Sequence, residues 1–227
     1  MHRNTSVKKS VVNEKTADYS MENMVSSYDT YMRRITLGRE GVLREETVKS
    51  AQVKPGDSVL EIGCGTGTLT LVAKRQAGLT GEVFGIDILP GMIEVSQKKA
   101  AESNEQITFQ VGSIDDIPFP ENQFDVVLCS FMIFHMPEET RRKGLAEIYR
   151  VLKPNGRLFI VDITLPTRAF QKFIAKILLG FMIQHKLEEL FPLMKTSGFV
   201  ESKIVPLKFS ILGLSIIAGI TGLAKKD

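Results

Sequence analysis

Residues 59–67 constrain the fold of this chain more than any other segment. They read Val-Leu-Glu-Ile-Gly-Cys-Gly-Thr-Gly, a short apolar run with one acid followed by three alternating glycines. Such a run is typical of a buried parallel strand, and glycine has no Cβ to block an approaching ligand. Residues 68–76 carry apolar side chains at helical spacing. The sequence thus predicts a strand, a glycine turn and a helix N-terminus, whose free N–H groups favour an anionic ligand group.

The spacing of the glycines distinguishes two kinds of cofactor loop. A dinucleotide-binding loop needs G-x-G-x-x-G or a final alanine, but Thr68 is the sixth residue counted from Gly63. The pattern is instead E-x-G-x-G-x-G, with Glu61 ahead of the loop. An ordinary strand-to-helix turn of an α/β domain is the alternative, because glycine motifs also occur by chance.

A second apolar run, at residues 81–88, places a carboxylate about twenty residues after the loop, at Asp87. A carboxylate there can accept hydrogen bonds from two ribose hydroxyls. Pro90 predicts that a helix begins just beyond Asp87, with Pro90 in its first turn. Ile88 and Met92 are candidates to enclose a flat adenine ring, with ordinary core packing as the alternative for Met92.

Strands and helices continue to alternate after this point. The sequence patterns predict a strand that ends in a polar turn, a central strand, a helix, a turn and a further strand. These elements are expected at residues 109–120, 124–131, 137–151, 152–157 and 158–163, in that order.

The ordered motifs across residues 55–165 resemble the class I S-adenosylmethionine-dependent methyltransferases. The E-x-G-x-G-x-G loop, Asp87, F-D-V-V at 124–127 and L-K-P-N-G-R-L at 152–158 carry the resemblance. It implies a Rossmann-like, doubly wound α/β fold, with a mostly parallel seven-stranded sheet and a C-terminal antiparallel hairpin. It also implies S-adenosylmethionine as the cofactor and S-adenosylhomocysteine as its product.

Within this class, the chain is similar to the ubiquinone/menaquinone biosynthesis C-methyltransferase group. Tyr28-Asp29 ahead of Gly38-Arg39, together with Ser130-Phe131, carries that likeness. The resemblance places the glycine turn under the methionine part of the cofactor, Glu61 near its cationic end, and Ser113 and the N–H of Ile114 at the adenine edge. The candidate cofactor-binding residues are Glu61, Gly63, Cys64, Gly65, Thr66, Gly67, Asp87, Ile88, Met92, Ser113, Ile114 and Ser130.

Four side chains outside that set are candidates to contact the methyl acceptor: Tyr28, Tyr31, Phe134 and His135. The two tyrosines can instead pack on the domain as helix aromatics. His135 follows a strand end near the expected methyl group and is also the candidate catalytic base. Contact with the acceptor or plain packing are its alternatives, because no orienting partner is visible in the sequence.

The chain is expected to form one methyltransferase domain at residues 21–227 after a flexible N-terminus at 1–20. Its parts are a helical cap with a break near 36–38, the cofactor-binding core, a lid helix and a C-terminal hairpin. They are expected at residues 21–51, 52–165, 166–190 and 191–227.

Two apolar segments near the C-terminus leave alternatives open. An apolar stripe at residues 170–181 predicts an amphipathic helix. That helix is a lid over an apolar acceptor, a helix on a membrane surface, or a helix packed on its own domain. The apolar tail at 209–220 is shorter than a membrane span, so we predict that it forms the last strand, paired with residues 201–208.

The charge and composition of the chain limit the classes of function that we expect. The net charge of +3 comes from scattered basic residues, which gives no support to nucleic-acid binding. The two cysteines and three histidines do not suggest a metal site. Without an apolar leader, a reducing cytoplasm is expected. The leading hypothesis is a methyltransferase for a small, apolar acceptor; the alternatives are a cofactor-binding protein without transfer activity and a methyltransferase that acts at a membrane surface. The oligomeric state and the methylated atom stay open.

Overall fold

The computed structural model describes residues 25–164, 169–170, 173 and 186–226. Seven strands lie within these residues. They are β1 (Ser58–Ile62), β2 (Glu82–Asp87), β3 (Thr108–Val111), β4 (Phe124–Ser130), β5 (Leu152–Ile163), β6 (Phe199–Pro206) and β7 (Ile217–Ala224). They form one sheet in the order β3-β2-β1-β4-β5-β7-β6.

Within the same residues, helices and two short 3-10 turns connect the strands. The helices are α1 (Tyr28–Ile35), α2 (Glu40–Ser50), α3 (Thr68–Ala77), α4 (Pro90–Glu102), α5 (Glu138–Val151) and α6 (Leu190–Thr196). The 3-10 turns are Ile133–His135 and Leu187–Glu189. As the sequence predicted, α3 begins directly after the glycine loop and α4 begins at Pro90.

Strand direction confirms the expected fold class. Strands β3, β2, β1, β4 and β5 pair in parallel, whereas β7 pairs antiparallel with both β5 and β6. Alternate residues of β1 enter the apolar clusters on opposite faces of the sheet, Leu60 in one and Val59 in the other. Burial of both faces explains why the central strands read as continuous apolar runs.

The cap helices α1 and α2 are separated by the predicted break. Leu37 and Gly38 both have left-handed backbones, with φ of +52° and +75°. The Thr36 hydroxyl donates to the Met32 carbonyl at 2.7 Å, which satisfies an acceptor at the end of α1. Because helical geometry stops there, α2 starts in a new direction at Glu40.

The C-terminal prediction was wrong about where the last strand begins. Strand β7 starts at Ile217, and residues 209–216 instead form a loop in which Ile211 and Leu214 bridge each other. Leu212 and Gly213 turn this loop with left-handed φ values of +49° and +76°. Tertiary pairing decided the register, because β7 must match β5 from Gly156 to Ile163.

The turn predicted at residues 152–157 lies inside β5, which begins at Leu152. The backbone does bend there: Asn155 has φ of +63°, and the pairing with β4 jumps from Leu152 to Arg157. A local turn is therefore built into the start of a longer strand as an irregularity.

The predicted lid helix at 166–190 lies mostly outside the described residues. Of its apolar stripe, Phe170 and Phe173 are described, and both are exposed. Among the helices in the described ranges, none has both the length and the apolar character needed to cross a membrane.

Candidate functional site

A cavity of about 1060 Å³ lies at the carboxyl ends of β1, β2 and β4. Strand β1 has β2 on one side and β4 on the other, so the strand order reverses at this point. Ligands of doubly wound sheets bind at such a switch point. The volume is at the upper end of the range for small-molecule sites, which leaves room for a cofactor and an acceptor together.

Most of the predicted site residues meet at this cavity. Its walls include eight of the twelve candidate cofactor residues, namely Gly63, Gly65, Asp87, Ile88, Met92, Ser113, Ile114 and Ser130. The walls also include all four candidate acceptor residues, Tyr28, Tyr31, Phe134 and His135. The remaining four candidate cofactor residues, Glu61, Cys64, Thr66 and Gly67, do not line the cavity, and their contact with the cofactor stays a prediction.

The glycine loop is fastened to the end of β2. The Gly65 N–H donates to Asp87 Oδ2 at 2.9 Å, and the Cys64 N–H donates to the Ile86 carbonyl at 2.9 Å. Gly63 has φ of +66°, and a Cβ there would lie 2.9 Å from the side chain of Met132. Glycine suits this position, because it adopts a positive φ without strain and leaves room for the Met132 side chain.

The Asp87 carboxylate suits the ribose-binding role predicted for it. It lines the cavity and is held from behind by two backbone donors, Gly65 on Oδ2 and the Leu89 N–H on Oδ1 at 3.0 Å. Each carboxylate oxygen can accept a second hydrogen bond. Burial raises the pKa of Asp87 above its ordinary value, against the opposing effect of the backbone N–H groups. The group is therefore a fixed, partly desolvated acceptor at the cavity wall.

Behind the cavity floor, which Ile62 and Ser130 line, there is a buried polar chain that starts at Glu61. Glu61 is only 1% exposed and accepts hydrogen bonds from the hydroxyls of Thr70 and Ser130. Burial, the largest effect, raises the pKa of Glu61 to about 7. Arg44 Nη1 donates to the Ser130 hydroxyl at 3.2 Å, and Arg44 also pairs with Glu40. Because Ser130 lines the cavity, this chain connects Glu61 to the cavity wall.

Arg44 is a site residue that sequence reasoning missed. It lies on α2, is 3% exposed and approaches Tyr28 and the ring of Phe131, whose centroid is 5.8 Å from the guanidinium carbon. In the sequence it forms an i, i+4 pair with Glu40, a pattern typical of solvated helix faces. No local signal marked it, because only the docking of the cap on the sheet buries it.

The remaining three cofactor candidates do not line the cavity and contact neighbouring helices instead. The Thr66 hydroxyl donates to Asp29 of α1 at 2.6 Å, and Asp29 also pairs with Lys99 of α4. Cys64 is buried in an apolar cluster, and burial raises the pKa of its thiol. A Cβ on Gly67 would lie 2.8 Å from Ser96 Cβ. These residues fasten the loop to α1 and α4.

The expected adenine end is formed by the ends of β2 and β3. Met92 is 3% exposed and Ile88 63% exposed, so Met92 is a buried wall residue and Ile88 lies at the rim. The Ser113 hydroxyl donates to the Asp115 carboxylate. Ile114 is buried against Gly144 of α5. The four residues lie on one side of the cavity, and their contacts with adenine stay predictions.

The opposite end of the cavity is apolar, and sequence reasoning missed most of it. Its wall residues there include Met32, Ile35, Phe131, Met132, Met136, Ile163, Ile211 and Ile216. Phe131 follows β4 with φ of +54°, a strained conformation for a bulky residue and one that clusters at functional sites. The apolar runs that carry these residues look like core in the sequence, so no pattern separated wall from core.

His135 ends the 3-10 turn Ile133–His135 and is exposed at the cavity edge. Within the described part of the chain, no hydrogen bond or ion pair orients its imidazole. The side chain therefore faces both the cavity and solvent. Its predicted role as a base stays a prediction.

Comparison with known proteins agrees with this geometry. A methyltransferase domain family matches residues 59–156. The chain is 36% identical over 167 residues to the demethylmenaquinone methyltransferase of Symbiobacterium thermophilum, an alignment that covers 73% of this chain and 63% of that protein. Residues 59–156 belong to this methyltransferase domain family, and the predicted resemblance to the class I S-adenosylmethionine-dependent methyltransferases is confirmed. The predicted likeness to the quinone methyltransferase group is confirmed.

A second relative and a solved structure extend the comparison. The 2-phytyl-1,4-naphtoquinone methyltransferase of Trichormus variabilis is 32% identical over 152 residues, 64% of this chain and 66% of that protein. The chain thus spans slightly less than two thirds of these relatives' lengths. The fold matches a SAM-dependent methyltransferase of Aquifex aeolicus with a TM-score of 0.67 and 20% identity, covering 89% of this chain and 98% of the other.

S-adenosylmethionine is the cofactor of this family, and the residues of the site fit it. The cavity offers a fixed carboxylate for ribose at Asp87 and a glycine turn, Gly63 and Gly65, that lines it without side chains. A buried carboxyl group, Glu61, lies behind the floor, in the region where the cationic end is expected.

Proposed function

We propose that this methyltransferase transfers a methyl group from S-adenosylmethionine to a ring carbon of an apolar, quinone-type acceptor in its reduced form. The observation that carries the proposal is that one cavity joins two chemically different ends. Gly63, Gly65 and Asp87 form a polar end suited to the cofactor, and methionine, isoleucine and phenylalanine side chains form an apolar end. The names of the relatives support a quinone-type acceptor.

When bound, S-adenosylmethionine supplies an electrophilic methyl carbon on a sulfonium. The protein's task is to align the acceptor with that carbon and to exclude water. Phe131 and Met132 follow the end of β4 at the apolar end of the cavity, where Met132 lies next to Gly63, so we place the acceptor ring against them. Tyr28 and Tyr31 cover the ring from the cap.

The acceptor must be reduced for chemical reasons. A quinone ring is electron-poor, whereas a quinol that loses a hydroxyl proton becomes a carbon nucleophile. We propose that His135 takes up this proton, since it lies at the cavity edge and can pass the proton to solvent. Methyl transfer to the ring carbon would break the carbon–sulfur bond of the bound cofactor and leave S-adenosylhomocysteine, and the ring carbon would then release its own proton.

A methylation assay tests this proposal. A 1,4-naphthoquinol that lacks the ring methyl and carries a short prenyl chain is incubated with S-adenosylmethionine labelled at the methyl. We expect labelled ring-methylated product from the quinol and none from the oxidised quinone. His135→Ala should lower the rate, whereas its binding of S-adenosylhomocysteine should match that of the wild type. Cofactor binding without any labelled product, from this acceptor or from a cell extract, would favour a binding protein without transfer activity.

A further inference from the structure

Two exposed turns lie side by side near the cavity. One is the break between α1 and α2, with Leu37 at its tip, and the other is the loop before β7, with Leu212 at its tip. Arg39 joins them: its Nη1 donates to the Ser210 carbonyl at 2.9 Å, and its guanidinium lies over the ring of Phe209. The two leucines are 57% and 79% exposed, so large apolar side chains project from neighbouring turns.

The same two turns contribute to the cavity wall. Thr36 precedes Leu37, and Ile211 precedes Leu212, and both of these neighbours line the cavity. Tyr31, which is 48% exposed, also lines the cavity from α1. The exposed leucines therefore stand beside the apolar end of the cavity, where an acceptor with an apolar chain would enter.

Basic residues flank the two leucines along the chain, and Glu46 is an acid that contacts this surface, where it accepts the Lys208 N–H at 3.0 Å. Residues 30–39 and 207–217 include Arg33, Arg34, Arg39 and Lys208 but no aspartate or glutamate. All four basic residues are exposed. Arg33 and Arg34 also line a shallow recess next to Leu37, and guanidinium groups suit phosphate oxygens.

We propose that Arg33, Arg34, Leu37, Arg39 and Leu212 form a docking surface for a bilayer that contains anionic phospholipid. The arginines would pair with headgroup phosphates while the two leucines insert between them, a combination of charge and apolar burial that holds peripheral proteins on membranes. The surface extends the proposed function, because an acceptor with a long apolar chain is dissolved in the bilayer and would reach the cavity beside these turns.

Vesicle co-sedimentation tests the surface without any methyl acceptor. The full chain should bind vesicles of mixed phosphatidylcholine and phosphatidylglycerol and should bind pure phosphatidylcholine only weakly. The double variant Arg33→Gln/Arg34→Gln should lose about 25-fold in binding, at about fivefold for each basic residue near an anionic surface. Leu37→Asn/Leu212→Asn should lose about tenfold, and asparagine tolerates the left-handed backbone at both positions.

Matched control residues lie at the opposite end of the strands from the cavity, where the parallel strands begin. Leu79, fully exposed after α3, is replaced by asparagine, and Arg75 and Lys195, both exposed, are replaced together by glutamine. These variants should bind vesicles like the wild type. S-adenosylhomocysteine binding should be unchanged in all the variants and shows that each is folded.

Three results would overturn the docking surface: equal binding to both kinds of vesicle, losses in the controls as large as in the test variants, or no vesicle binding at all. In the last case, salt-sensitive binding to polyglutamate would assign the surface to an acidic protein partner. If vesicle binding follows the expected pattern while the wild type methylates no quinol, the proposed function fails and the docking surface stands.

Discussion

Replacing Asp87 by asparagine tests the ribose assignment most directly, because the structure gives this carboxylate two separable tasks. It fastens the glycine loop by accepting the Gly65 N–H and holds the turn after β2 by accepting the Leu89 N–H, and it lines the cavity where ribose hydroxyls are expected. Asparagine keeps the shape but offers one oxygen and one NH₂ group. One backbone donor would then face another donor, and the negative charge would be lost.

The two tasks predict two measurable losses. An unsatisfied buried donor costs about 1–3 kcal/mol of stability. A hydrogen bond from a ribose hydroxyl to a charged carboxylate is stronger by about 1 kcal/mol than one to a neutral amide. Two such hydrogen bonds together account for about 2 kcal/mol, so cofactor affinity should fall about 30-fold. Calorimetric titration with S-adenosylhomocysteine measures the second loss, and denaturant unfolding measures the first.

Asp125 provides the matched control. Its carboxylate also accepts a backbone N–H, from Ser58 at 2.9 Å, and pairs with Lys153, but it lies at the start of β4, away from the cavity. Asp125→Asn should therefore lower stability and leave the affinity for S-adenosylhomocysteine unchanged. If Asp87→Asn is destabilised in the same way but binds within about threefold of the wild type, Asp87 only fastens the loop and the ribose assignment is refuted.

Three further predictions concern the loop and the floor. Gly67→Ala should destabilise by about 2–4 kcal/mol, measured by urea unfolding, because φ is +78° and the new Cβ would meet Ser96 at 2.8 Å; an unchanged midpoint would contradict this packing. Burial raises the pKa of Glu61 to about 7 from an ordinary value of 4.5. As pH rises, the unfolded chain therefore loses the Glu61 proton at a lower pH than the folded chain does. The free energy of unfolding without cofactor should then fall as pH rises from about 4.5 through about 7. Glu61→Gln lacks this component, so denaturant unfolding should show its stability gaining on the wild type over that window; parallel pH profiles would contradict the assignment. Thr66→Val removes the 2.6 Å hydrogen bond to Asp29 and should speed amide hydrogen exchange in α1 while cofactor affinity stays unchanged. Thr66→Ser keeps the hydroxyl and should resemble the wild type. A loss of cofactor affinity in the valine variant alone would instead support the predicted contact between Thr66 and the cofactor.

Much of the fold could be predicted because its signals are local. The run from Val59 through the glycines to α3 combines a buried strand, a turn that only glycine permits and a helical period within about twenty residues. Asp87 follows at a distance that the strand–helix–strand geometry dictates. These short-range patterns determined the doubly wound core and one end of the site.

Tertiary structure decided what depends on contacts between distant segments. β7 begins at Ile217 because β5 sets its register, and Arg44 is buried because the cap docks on the floor of the site. Thr66 meets Asp29 for the same reason. An apolar residue looks the same in the sequence whether it fills a core or lines a cavity, since burial is a property of the assembled chain. The apolar end of the cavity, and with it the choice of acceptor, therefore became visible only once the strands and the cap were in place.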